Sequence, residues 1–150
     1  MALKKATRSA QWPLVATFTA NFNDTAVDAV SGTEKSFGAD YLNPVIADII
    51  NLPAGASIIG GDLVVDVAGV GPTVYTMKLG VAGDDACFLA ATTLLATSRT
   101  ALLLTKPAAA VNGLNVRATI ASTEANATAG KYTVRVMYTI NGRANETYPN

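Results

Sequence analysis

The chain has 150 residues, of which half are hydrophobic and only 15% are charged. This length suits one domain with a sizeable core, and the high apolar content excludes an intrinsically disordered chain. Eleven basic and eleven acidic residues give a net charge of zero, which disfavours a nucleic-acid binder, and no apolar run reaches the roughly eighteen residues of a membrane-spanning helix.

The first thirteen residues differ from the rest of the chain, because they carry three cations and no acid. They predict an extended N-terminal arm, residues 1–13, ahead of a single domain formed by residues 14–150. Tryptophan is common at interface hot spots, and Trp12 lies between the basic residues and the first predicted strand. The candidate partner-binding residues are therefore Lys4, Lys5, Arg8 and Trp12.

Beyond the arm, apolar residues recur at every second position, which is the period of a half-buried strand. Strands are predicted over residues 14–22, 45–52, 57–67, 73–81, 87–90, 101–105, 114–120 and 132–140. Turns rich in Gly, Pro and Asn separate them, including 68–72, and residues 24–40 form a long loop with at most a short helix or strand. About eight short strands predict an all-β fold, an antiparallel β-sandwich of the jelly-roll type.

The stretch GASIIGGD, residues 55–62, has the glycine spacing of a phosphate-binding loop. The lysine of such a loop is replaced by Gly61 and the hydroxyl residue by Asp62, which would repel phosphate. A strand follows instead of the helix whose N-terminus would bind the phosphate. We therefore predict that Gly55 serves a turn, and that Gly60 and Gly61 form a bulge or a close approach to another backbone.

The residues that carry most enzyme chemistry are scarce. The chain has no histidine, so Ser-His-Asp and Cys-His arrangements are excluded, and the lone Cys87 lies in an apolar run typical of a core residue. We expect no catalytic residue, no cofactor and no metal site. Three pairs of carboxylates are candidates for acid–base chemistry: Asp62 with Asp66, Asp84 with Asp85, and Asp40 with Asp48. The adjacent pair, Asp84 and Asp85, is also a candidate for binding a calcium ion.

Two arginines occur in the middle of predicted strands, on the faces opposite the apolar rows. Arg117 and Arg135 indicate a solvated sheet face, where either could pair with Asp66 or bind a partner.

Five stretches resemble structural proteins of tailed bacteriophages, in particular a small β-sandwich type of virion protein. They are NLPAGASI (51–58), GDLVV (61–65), MKLGVAGD (77–84), FLAA (88–91) and AGKYTVRVMY (129–138). The resemblance covers about residues 45–140 and is made mostly of turn and strand motifs. It includes neither the basic arm nor the loop at 24–40.

This resemblance implies a capsid cement, or decoration, protein on the outer surface of a phage head. Such a protein is not an enzyme, is made in the bacterial host cytoplasm, and binds as a dimer or trimer across junctions of the major capsid protein. The alternatives are another head–tail or tail-fibre component, or a carbohydrate-binding β-sandwich. No nucleic-acid or membrane partner is expected. A sugar binder needs exposed aromatic rings, whereas Tyr132 and Tyr138 are predicted to lie on the core face.

Overall fold

The computed structural model describes residues 7–38, 41–104, 109–110, 112–143 and 146–149, in which it contains thirteen β-strands. In chain order these are β1 (Thr7–Ala10), β2 (Leu14–Asn21), β3 (Thr25–Val27), β4 (Glu34–Ser36), β5 (Val45–Leu52), β6 (Ala56–Val70), β7 (Val74–Val81), β8 (Asp84–Thr93), β9 (Ser98–Ala101), β10 (Ala109–Ala110), β11 (Leu114–Thr123), β12 (Ala129–Ile140) and β13 (Glu146–Pro149). Nowhere in the described part is there a helix with the length and apolar content needed to cross a membrane.

Eight strands, together with the short β10, form two antiparallel sheets. In the first sheet the order is β9, β6, β12 and β2, with the short β10 also paired to β6; in the second it is β5, β11, β7 and β8. If β10 is left aside, successive strands alternate between the two sheets except at the β7–β8 hairpin. This strand order is that of an eight-stranded jelly roll, so the predicted fold class is confirmed.

The core lies between the two sheets and is formed by the inward-facing residues of each strand. On β12 the side chains of Tyr132, Val134 and Val136 are fully buried, whereas Met137 is exposed. Buried apolar residues from β5, β6, β7, β8 and β11 complete the core. The alternation that predicted these strands is therefore the alternation between core and solvent.

The predicted boundaries hold well for β2, β5, β7 and β11, and less well where small or apolar residues continue past a strand. The turn predicted at 68–72 is wrong in its first part, because β6 continues to Val70. The strand predicted at 101–105 is displaced: β9 spans Ser98–Ala101, and the following Leu102 is buried beside Gly61. The loop at 24–40 contains a small hairpin of β3 and β4.

The two ends of the described chain leave the sandwich together. β1 pairs with β13 in a two-stranded antiparallel ribbon, with Ala10 opposite Glu146. Gln11 connects this ribbon to the sheet, since its side-chain amide donates to the carbonyl of Ile140 and accepts from the Ile140 N–H, at 2.9 and 2.8 Å. The backbone of residues 7–10 is therefore held as a strand.

Candidate protein-binding surface

The outward face of β6 and β12 is shaped by a bulge beside two glycines. The register between the two strands shifts between Met137, which faces Gly60, and Tyr138, which faces Ile58. Gly61 has φ +151°, and a Cβ atom there would overlap the carbonyl oxygen of Arg135. Gly61 therefore allows two backbones to approach, as predicted.

Next to the bulge, one carboxylate is held between two arginines. Arg135 donates from Nε to Oδ1 of Asp62 and from Nη2 to Oδ2, both at 2.7 Å, and Arg99 of β9 donates from Nε to Oδ2 at 2.5 Å. The Arg135 hydrogen bonds lower the pKa of Asp62; burial opposes this effect, and Arg99 adds to it. The cluster is therefore ionised at neutral pH and presents two guanidinium groups to solvent.

An open groove of about 240 Å³ lies over the bulge and the ion cluster. We call it the β6–β12 groove; it is lined by Val15, Gly61, Asp62, Arg99, Arg135 and Met137. Val15 and Met137 are directly opposite each other on β2 and β12, and both are exposed. The surface therefore has an apolar side formed by these two residues and a cationic side formed by the arginines.

Threonines continue the same face towards the far end of β2 and β12. The hydroxyls of Thr19 and Thr133 lie 3.0 Å apart on adjacent strands, and Thr133 also donates to Asp66 at 2.8 Å. Asp66 is thus engaged by a hydroxyl, whereas Arg135 is bonded to Asp62. The face offers short polar side chains and few charges, a composition that can pack against another protein.

A second, smaller ion cluster lies on the other sheet, where Arg117 of β11 faces β5. Its Nε donates to Oδ1 of Asp48 at 2.8 Å, and Asn115 donates to the same carboxylate at 3.2 Å. The hydrogen bond from Arg117 lowers the pKa of Asp48, although partial burial opposes it. An open groove of about 260 Å³ adjoins this cluster. Both mid-strand arginines are therefore paired with carboxylates of the same chain.

The predicted partner-binding residues are only partly within the described chain. Lys4 and Lys5 lie outside the described residues, and Arg8 is described in its backbone alone, as the β1 residue opposite Tyr148. Trp12 is described, and 79% of its surface is exposed between the ribbon and β2. Trp12 is therefore largely exposed to solvent, and the partner-binding roles of Trp12 and of the three cations stay a prediction.

The other chemistry-bearing residues occupy structural positions. Asp85 forms an ion pair with Lys78 at 3.1 Å, and Asp40 lies outside the described residues. Among the residues that the structure describes, no group of three or more His, Cys, Asp or Glu side chains is arranged to hold a metal ion. Tyr132 is fully buried and Tyr138 packs against the core, as predicted.

Sequence reasoning missed the cluster of Asp62, Arg99 and Arg135. The missing information was the pairing of β9 with β6, which places Arg99 opposite Val64, two residues from Asp62. An aspartate next to two glycines in an apolar strand is unusual, because a buried carboxylate requires partners. That rule was the available signal that Asp62, rather than Asp66, would have arginine partners.

The sequence and the fold of the chain can be compared with those of known proteins. No protein-family model matches the sequence, and no curated protein matches it significantly. Among solved structures, a chain of the cyanophage Pam1 capsid matches with a TM-score of 0.58 and 22% identity, over 92% of this chain and 91% of that chain. A chain of the acidic stable capsid of Helicobacter pylori bacteriophage KHP30 matches with a TM-score of 0.56 and 18% identity, over 89% and 90%. A chain of the Ralstonia phage GP4 capsid matches with a TM-score of 0.55 and 16% identity, over 93% and 92%.

These comparisons establish a shared fold. The chain has the β-sandwich fold of chains found in three phage capsids, which confirms at the level of the fold the resemblance to phage virion proteins. Because the aligned shares are about equal on both sides, the matched capsid chains have nearly the length of this chain. The similarity therefore spans about nine-tenths of each of the compared chains.

Proposed function

We propose that the chain is a capsid cement protein, a non-enzymatic structural protein that binds across major capsid subunits and stabilises a phage head. The observation that carries this proposal is the match, over about nine-tenths of both chains, to small chains in three phage capsids. An accessory shell protein of this size has one jelly roll with which to make its contacts. Its surface, rather than a catalytic site, is then its functional part.

The proposed location is the outer surface of the head. Proteins that contact packaged DNA gain affinity from a surplus of Lys and Arg, and this chain has a net charge of zero. Its mid-strand arginines, Arg117 and Arg135, are also paired within the chain, with Asp48 and Asp62. The chain would be synthesised in the host cytoplasm and added to the shell from outside.

The proposed contact with the shell combines the arm, residues 1–13, with the sandwich formed by residues 14–150. The cations of the arm, Lys4, Lys5 and Arg8, would meet acidic residues of the major capsid protein, and Trp12 would insert between shell subunits. The exposure of Trp12 supports this role, because a large aromatic side chain in water is a ready anchor. The sandwich would associate as a dimer or trimer through its Thr- and Ala-rich faces.

The alternative of a carbohydrate-binding module has less support. Sugar-binding sandwiches use exposed aromatic platforms, and Tyr132 and Tyr138 are turned towards the core. The groove over Gly61 has arginines and aliphatic side chains as its walls and contains no aromatic ring.

The test is a binding experiment with phage heads that lack this protein. The purified chain is mixed with these heads and, separately, with isolated tails; each mixture is sedimented, bound copies are counted, and the heat resistance of the heads is measured. We expect saturable binding to heads at a fixed ratio to the major capsid protein, together with greater heat resistance. Binding to tails alone, or to neither, would refute the proposal.

The arm is tested in the same assay with a chain that lacks residues 1–12. We expect this truncated chain to keep the jelly-roll fold and to bind heads at least tenfold more weakly, about 1.4 kcal/mol of binding free energy. Full binding by the truncated chain would show that the sandwich alone makes the contact.

A further inference from the structure

The strand β2 presents a bare hydrogen-bonding edge. β2 pairs with β12 on one side over eight residues without a register shift, and no described residue pairs with its other side. The strand, LVATFTAN, has no charge and no proline. Natural proteins commonly protect an exposed edge by a bulge, a charge, a proline or a covering segment. None of these protects the outer edge of β2 in the described chain.

The other edges of the sandwich are interrupted by backbone contacts or are short. On β5, the N–H of Ile46 donates to the Asp28 carboxylate at 2.9 Å, and the Ile46 carbonyl accepts a hydrogen bond from the N–H of Ala29. On β8, the carbonyl of Phe88 accepts from the N–H of Leu103 at 2.7 Å. On the far side of the first sheet, β9 and β10 are only four and two residues long. The contrast makes β2 the edge on which a partner strand can be added.

The hydrogen bonds identify which residues of β2 are free. Paired residues of antiparallel strands alternate between exchanging backbone hydrogen bonds and facing outward. The N–H of Phe22 donates to the carbonyl of Gly130, in phase with the β2–β12 register, so the even-numbered residues of β2 bond to β12. The backbone groups of Val15, Thr17 and Thr19 therefore point away from the sheet.

This free segment has a defined end on each side. On the N-terminal side the next outward-pointing residue is Pro13, which has no N–H to donate. On the C-terminal side it is Asn21, whose N–H already donates to the Asp24 carboxylate at 2.7 Å. The available ladder thus consists of Val15, Thr17 and Thr19, with Thr17 at its centre.

We propose that the partner strand is β2 of a second copy of this chain, paired antiparallel about a two-fold axis at Thr17. In this register Thr17 faces Thr17 of the second copy, and Val15 faces Thr19 of the second copy. All three free residues of each copy then exchange backbone hydrogen bonds. The first sheet of one copy and the first sheet of the other become one continuous sheet. Pro13 then lies opposite Asn21 of the other copy, whose N–H already donates to the Asp24 carboxylate.

The side chains of β2 fit this self-pairing. On the core side Phe18 faces Ala16 of the second copy, and Leu14 faces Ala20, so each large side chain meets a small one. On the outer side the pairs are Thr with Thr and Val with Thr, combinations that suit neighbouring strands. A two-fold axis brings identical residues together, and an uncharged strand avoids the repulsion that this causes for charges.

The inference rests on the proposed homo-oligomeric state, narrows it to a dimer, and places the contact at the edge of β2 instead of on a sheet face. It can be tested without a phage head. The mass of the purified full-length chain is measured by sedimentation velocity and light scattering. The first variant is Thr17→Pro, which removes an outward N–H and spares the β12 hydrogen bonds. We expect the native chain to be a dimer. The dimer dissociation constant should rise at least 100-fold in Thr17→Pro and stay unchanged in the control Thr17→Val.

Introducing a charge at Thr17 tests the register of the two strands and does not depend on how well proline is tolerated. Thr17→Lys and Thr17→Glu each keep the backbone N–H, and each places two like charges together at the axis. We expect both variants to be monomeric alone and to form a mixed dimer when combined. A monomeric native chain, a trimer, a dimer that persists in Thr17→Pro, or two charge variants that fail to combine would overturn the proposal.

Head binding is measured on the same samples, which separates the two proposals. A native dimer that binds no head would refute the cement function and leave the β2 pairing intact. A native monomer that binds heads would do the reverse.

Discussion

The carbonyl oxygen of Arg135 occupies the space in which a side chain on Gly61 would begin. Gly61 also has φ +151°, a conformation that residues with a side chain rarely adopt. The neighbouring Gly60 is different, because a Cβ there would make only an ordinary contact with the Met137 sulfur at 3.7 Å. Two adjacent glycines thus have different roles, one required by the fold and one lying open on the outer face.

The first prediction concerns these two glycines. Gly61→Ala should lower the free energy of unfolding by about 2 kcal/mol or more, because it combines backbone strain with overpacking against β12. Gly60→Ala is the matched control and should change it by less than about 1 kcal/mol. Urea unfolding followed by circular dichroism measures both. Equal effects of the two substitutions would contradict the assigned roles.

The second prediction concerns two buried tyrosines. The Tyr75 hydroxyl donates to the carbonyl of Phe37 at 3.1 Å, whereas the buried Tyr132 hydroxyl interacts with the Tyr75 hydroxyl but makes no hydrogen bond of regular geometry among the described residues. Tyr75→Phe should therefore cost about 1 kcal/mol of stability, since it also leaves the Phe37 carbonyl unpaired. Tyr132→Phe should cost less than Tyr75→Phe, because it removes a hydroxyl without regular hydrogen-bond geometry and leaves the bond from Tyr75 to Phe37 in place. Thermal unfolding of the two variants decides the matter, and a larger loss for Tyr132→Phe would show that its hydroxyl is bonded.

The third prediction is that acid weakens the fold through Asp28. Burial on its own raises the pKa of Asp28, but hydrogen bonds from Ser31 and the N–H of Ile46, together with the Lys35 charge, outweigh it and hold the pKa well below its usual value. Since the unfolded chain then takes up a proton more readily, the stabilisation is complete above about pH 5 and is lost progressively below about pH 4.

The measurement compares the native chain with Asp28→Asn in urea from pH 7 down to pH 2. The native chain should be more stable at pH 7, because it keeps the charged hydrogen bonds that join the β3–β4 hairpin to β5. The difference between the two chains should shrink as the pH falls, since the Asp28 carboxylate of the unfolded chain then takes up a proton before that of the folded chain. A difference that stays constant over the whole range would rule out Asp28 as a source of the acid sensitivity.

The fourth prediction uses the fluorescence of the single tryptophan. Trp12 is 79% exposed, so the emission of the isolated chain should be that of an indole in water. Adding heads that lack the protein should shift the emission to shorter wavelength, as the ring enters an apolar site. Trp12→Ala should bind heads at least tenfold more weakly, while Trp12→Phe, which keeps an aromatic ring, should lose less. An unchanged emission spectrum on saturated heads would exclude Trp12 as an anchor.

Much of the fold could be predicted because it depends on local patterns. The alternation in β12, from Tyr132 to Ile140, reports directly which side of a strand faces the core. The turns at Gly55 and Gly113 could likewise be predicted, since both glycines have positive φ values that other residues adopt at a cost. The displaced β9 shows the limit, because the apolar run after Ala101 resembles a strand but packs as an irregular segment beside Gly61.

By itself, the sequence determined the all-β class, the strand faces and the absence of histidine chemistry, because composition and alternation are properties of the chain alone. Only the tertiary structure decided which charges meet, since Asp62 and Arg135 are 73 residues apart and come together through the β6–β12 register. It also decided which edge stays open. A strand edge is open when no other segment of the folded chain pairs with it or covers it, and the sequence of β2 does not show whether such a segment exists.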